Sequence, residues 1–162
     1  MTVPRIATSA GFFRDGAGAV KVDGTIVEPV TILVPACATP ENKAGIVLYG
    51  HGFFGGLDES EGGYPRRFAK DTCNVVIGGL WRGMSEADIP AALATLNDVN
   101  NARPFAEGVW QGIVDFMGLA RLASLRLPTE RWSRTHWRSR WRRWSIRAAS
   151  ASTASPRARS SA

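Results

Sequence analysis

Two short apolar runs constrain this chain more than any other feature in it. Residues 46–49 (IVLY) and 74–77 (NVVI) are runs of strand length with almost no polar interruption, and glycines follow each of them. A strand that alternates apolar and polar residues keeps one face in water, whereas a continuous run marks a strand buried on both faces. Between the two lies PRRFAK (65–70), a short helix with Pro65 suited to its first turn. Strand, helix and strand in that order form a βαβ unit, in which the strands are parallel and the helix covers the sheet. The expected fold class is therefore α/β.

The flanking segments fit around that unit. In AGAVKVDGTIVEPVTILVPA (17–36), Val20, Val22 and Ile26 alternate with polar residues, and Val30, Ile32 and Val34 alternate again. Asp23-Gly24 between them is a hairpin signal, so an antiparallel pair is expected over 19–34. Asp88-Ile89-Pro90 opens a helical stretch or loop. From Pro104 onward, Phe105, Val109, Ile113, Phe116, Leu119 and Leu122 recur at helical spacing, which predicts an amphipathic helix over 104–122.

After Leu125 the pattern stops. Residues 1–125 hold thirteen acids against ten bases, whereas 126–162 hold ten arginines against one acid, Glu130. The net charge of +6 thus belongs to the tail, and the chain is an acidic body, 1–125, joined to an Arg/Trp/Ser/Ala-rich end, 126–162. No apolar run approaches the ~18 residues of a membrane-spanning helix, and no signal peptide is visible, which makes the cytoplasm the default location. The two cysteines, Cys37 and Cys73, have no metal-ligand or redox spacing and read as small buried hydrophobes.

The chemistry concentrates in GHGFFGG (50–56), directly after the first apolar run. In parallel sheets the ligand crevice lies beyond the carboxyl ends of the strands, where this segment and GGLWRGMS (78–85) both fall. Glycines there let the backbone turn sharply and aim N–H groups at an oxyanion or phosphate. No phosphate-loop or dinucleotide motif is present. A metal at His51 would have to recruit Asp58, Glu59 or Glu61 without a second histidine nearby. Neither a metal nor a cofactor is expected. Taken alone, His51 reads as a satisfied imidazole in a tight turn.

The ordered set of strand, His-Gly, apolar residue and Gly-Gly resembles the α/β-hydrolase superfamily, in particular its bacterial esterase- and lipase-like members. FAKDTCNVVIGGLWRGMSEADIP is similar to the helix, strand and loop that follow, and ARPFAEGVWQGIVDFMGLARLA to the helix before the nucleophile strand; together the resemblance spans residues 17–125. It implies an incomplete α/β-hydrolase sheet, whose intact relatives would act on a small-molecule ester. It also implies that Gly52 and Phe53 offer oxyanion N–H groups and that His51 supports the loop without serving as the base. Trp81, Met84 and Ser85 would line the crevice.

The rest of the catalytic set is missing. GxSxG does not occur, Ser85 is not on a strand-to-helix elbow, and the other histidine, His136, sits among arginines. Without a nucleophile and a base, oxyanion donors have nothing to stabilise. The chain is therefore expected to be catalytically inert, and a sheet cut at this point should leave strands 46–49 and 74–77 with open edges and poor solubility.

The tail lacks Lys, Asp, Gly and Val, all of which the body uses. Such bias is what a GC-rich gene yields when read out of frame. Joining the last base of each codon to the first two of the next, SIRAASASTASPRARSSA (145–162) can encode DPSRV, one residue, then VYGVSQGAILG. That string holds a strand ending in GVSQG, a GxSxG match, where the hydrolase order requires it. The alternative is a non-enzymatic binding arm. Trp137, Trp141 and Trp144 would share one helical face among arginines, suiting an anionic membrane or nucleic acid. The plainest reading of such a tail is a disordered or irregular cationic segment.

Overall fold

The structure, a computed structural model, describes residues 1–125. The shifted-frame serine motif, His136 and the tail tryptophans lie outside the described residues.

The βαβ unit forms as expected. β6 (Ile46–Gly50) leads through a 3-10 turn (Leu57–Glu61) and α1 (Gly63–Thr72) into β7 (Val75–Gly79). The two strands pair in parallel, from Ile46 beside Val75 to Gly50 beside Gly79, so both end in glycine at one level. β5 (Val30–Leu33) lies antiparallel on the other side of β7, giving the order β5-β7-β6.

Both faces of this sheet are covered. Val30, Ile32 and Ile77 pack against Leu119 and Ala123 of α3 (Ala102–Leu125), while Leu33 and Val76 pack against Ala69 of α1. Gly78 and Gly79 mark where the packing is closest. A Cβ on Gly78 would fall 2.3 Å from Ser60 and Thr31, and one on Gly79 2.9 Å from Leu119. Ser60 and Thr31 bond each other at 2.6 Å through that gap.

The expected 19–34 hairpin does not form. β4 (Thr25–Val27) pairs with β1 (Thr2–Pro4), while β5 joins the main sheet. Val20 and Val22 stand exposed, and Asp23-Gly24 turns the chain back towards Arg5, whose guanidinium bonds Asp23 at 3.0 Å. Alternation reports a strand with one covered face; it does not say which strand lies beside it.

The apolar run at 46–49 also differs from expectation. β7 is paired on both sides, but β6 has one neighbour among the described residues, and Ile46 is 38% exposed. The open edge foreseen for both strands is therefore confined to β6.

Cys37 and Cys73 form a disulfide. It ties the loop after β5 to the end of α1, where Cys73 holds a left-handed φ of 54°. Spacing in sequence gives no sign of a pair joined across 36 residues. α2 (Ile89–Asn97) and the flanking 3-10 turns carry the chain from β7 to α3.

The helix predicted over 104–122 is present but turned. Its buried positions are Glu107, Gln111, Gly112, Asp115, Leu119 and Ala123, whereas Ile113 is exposed. The N-terminal half of α3 holds the chain's first residues rather than the sheet. Glu107 accepts from Phe12 N–H at 2.7 Å, beside the short pair β2 (Ala7–Thr8) and β3 (Gly11–Phe12). Gln111 accepts from Ile6 and Ala7 N–H at 2.7 and 3.1 Å. Irregular backbone needs polar partners when covered, so a polar stripe faces inward here.

Candidate functional site

Because β6 and β7 end side by side, the loops that follow them meet. Gly50 allows this: a Cβ there would stand 2.9 Å from the Trp81 ring and 3.2 Å from Phe116. Trp81 lies against Phe116 with ring centroids 4.4 Å apart.

His51 joins the two loops. Its Nε2 accepts from the Trp81 backbone N–H at 2.9 Å, and Nδ1 stands 2.8 Å from the Gly52 carbonyl. A backbone N–H only donates, so Nε2 carries no proton; Nδ1 therefore carries it and donates to Gly52 O. Both nitrogens are engaged, so the imidazole clamps the two loops together. Further links run alongside. Phe54 N–H donates to Met84 O at 2.7 Å, and Glu86 N–H donates to Gly55 O at 3.0 Å. Phe54 accepts a left-handed φ of 59° to make this join, a conformation costing about 1–2 kcal/mol outside glycine.

The six residues singled out from sequence fall at this junction with different surroundings. Gly52 N–H donates to Glu59 Oε2 at 2.9 Å. Phe53 is exposed, its ring 4.1 Å from that of Phe54. Trp81 and Met84 are half-buried. Ser85 is fully buried and caps the turn Glu86–Asp88, its Oγ 2.5 Å from Asp88 Oδ2, so it faces protein and not a crevice.

Sequence reasoning missed a second set of residues beneath the junction. Arg82, next to Trp81, pairs through Nη2 with Glu28 and sits 3.6 Å from Asp115 Oδ2 through Nε. Glu28 and Asp115 are both buried. Burial pushes the Asp115 carboxyl up, the Gln111 bond opposes this, and the neighbouring Glu28 charge adds to it; the result is about 6. The loop reaches this depth because α3 carries glycines beneath it. A Cβ on Gly112 would fall 2.3 Å from Arg82 O, and Gly83, at φ +85°, lies 3.6 Å from where a Gly108 Cβ would stand. The spacing Gly108-x-x-x-Gly112, together with acids and an amide at 107, 111 and 115, was the available signal in the sequence.

Chemically, the junction presents backbone N–H groups at the carboxyl edge of a parallel pair. Among the described residues His51 is the only histidine, and the hydroxyls of Ser60, Ser85 and Ser124 bond elsewhere. No group of three metal-ligating side chains stands together among those residues, and no helix there is long and apolar enough to cross a membrane. No family model, curated protein or solved structure matches the chain.

Proposed function

We propose that residues 1–125 are the first part of an α/β-hydrolase-like domain related to carboxylic-ester hydrolases, and that the chain does not hydrolyse esters alone. The observation that carries this reading is the junction itself: a strand-borne His-Gly loop at the carboxyl end of a parallel pair, clamped by His51 to the loop after the next strand. An oxyanion site belongs at that place. A nucleophile serine, an acid and a free histidine are needed to use it, and the described residues contain no such set. The tail, in this reading, is the product of a shifted frame that conceals the GVSQG elbow.

The test compares this chain with a frame-restored version in a p-nitrophenyl ester assay, after sequencing the gene. The expected result is hydrolysis by the restored chain alone, abolished when the serine of GVSQG is changed to alanine. Hydrolysis by the present chain, or a shifted frame without GxSxG, would overturn the reading.

A further inference from the structure

The oxyanion position of the loop is already occupied. Glu59, seven residues beyond Gly52, turns its carboxylate back so that Oε2 accepts from Gly52 N–H at 2.9 Å. Oε1 lies in space that only a glycine leaves open, since a Cβ on Gly55 would fall 1.7 Å from Oε1 and 2.7 Å from the carboxyl carbon. A Cβ on Gly52 would stand 3.7 Å from Oε2. Gly55 thus leaves a carboxylate-sized gap beside the Gly52 N–H, and Glu59 fills it.

We propose that this recess is a binding site for a small carboxylate, and that Glu59 is its internal competitor, holding the loop shut against outside anions. The inference rests on the oxyanion reading of the loop and deepens it by naming the group that blocks the donor. Glu59 is a positioning and blocking residue, not a catalytic one. Release needs only rotation of one side chain, because the Gly52–Glu59 bond lies at the exposed surface. An internal carboxylate holding one charge-assisted hydrogen bond should weigh roughly tenfold or more against an outside one.

Acetate is the probe. Glu59→Ala should bind it, seen as a saturable rise in Tm and as saturable shifts of the Gly52 and Phe53 amides in a ¹H–¹⁵N correlation spectrum. Sodium chloride at equal ionic strength should do neither. Wild type should need about tenfold more acetate or show no saturation. Adding Gly55→Ala to Glu59→Ala fills the recess with a methyl group and should abolish acetate binding. If Glu59→Ala does not fold in chloride, refolding in acetate becomes the readout, and failure to refold counts against the site. Equal acetate response in wild type and Glu59→Ala, or binding retained in the double variant, would overturn the proposal. None of these readouts requires a nucleophile, so they stand apart from the esterase test.

Discussion

Gln111 is the residue whose loss should expose most clearly how the first residues are held. It is fully buried. Its amide oxygen accepts from Ile6 and Ala7 N–H, and its amide nitrogen donates to Pro4 O at 3.0 Å and Asp115 Oδ1 at 2.9 Å. Gln111→Met keeps the length of the side chain and suits a helix, so its main effect is to remove four hydrogen bonds. Two of the four partners, Ile6 and Pro4, are only partly covered, and water can reach them at a cost of about 0.5–1 kcal/mol each. Ala7 N–H and Asp115 Oδ1 are buried and would lose their hydrogen-bond partner, at about 1–3 kcal/mol each. The expected loss is about 3–8 kcal/mol, a large share of a domain's usual 5–15 kcal/mol. Urea unfolding followed by far-ultraviolet circular dichroism measures it, and early proteolytic cutting within residues 1–14 should accompany it. A loss under about 1 kcal/mol, with that segment still protected, would show that Gln111 does not pin it to α3.

Three further predictions follow from the buried polar groups and the bridge. Replacing Cys37 and Cys73 by serine, or reducing them, should cost about 4 kcal/mol for a loop of this length; an unchanged Tm in dithiothreitol would show that the bridge is not formed. The acid–base behaviour has two signs. For Glu107, burial raises the carboxyl, but bonds from Arg103, Phe12 N–H and Arg14 outweigh it and hold it at about 2, so its contribution is full above about 4.5 and fades as pH falls towards 2. Asp115, raised from 3.8 to about 6, has the opposite effect: the folded state keeps a proton that the unfolded state loses, so stability falls as pH rises from about 4 to 6. Asp115→Asn should remove that fall, and a wild-type curve flat over pH 4–6 would refute it. Arg82→Ala leaves Glu28 and Asp115 buried without their cation and should cost about 3–5 kcal/mol. Asp115→Asn in the same chain should recover part of the loss, and strict additivity in urea unfolding would deny the coupling.

What was legible in the sequence was period and punctuation. The two apolar runs, Pro65 and the helical spacing after Pro104 each marked an element that is present. Neighbours were not legible. Val30 and Ile32 alternate as a hairpin arm would, but the partner of β5 is β7, over forty residues on. The inward face of α3 was misjudged for a related reason. Phe105, Val109 and Ile113 mark the apolar side, yet the segment that covers the helix there brings backbone N–H groups, and these need Glu107 and Gln111. The junction followed the same rule. The sequence placed His51 in the loop, but its bond to Trp81 and the capture of Gly52 by Glu59 depend on side chains meeting in space.

One mismatch between sequence and structure bears on the proposed function. Residues 46–49 are as apolar as a strand enclosed on every side, yet β6 is half-covered and its outer edge has no strand beside it among the described residues. An apolar edge strand with unpaired backbone invites pairing with another chain. Chains that leave a parallel strand through a helix return on the right-handed side almost without exception. In the frame-restored chain, a strand following α3 and laid beside β6 would cover this edge and bring its carboxyl end, with the GVSQG serine, next to Gly52 and Phe53. Hydrogen exchange tests the idea directly. Alternate amides of β6 should exchange fast in the present chain and slow by about tenfold or more in the restored one, since opening would then cost at least about 1.4 kcal/mol more. If β6 exchanges equally in both, the restored strand lies elsewhere, and its serine could not serve the oxyanion loop.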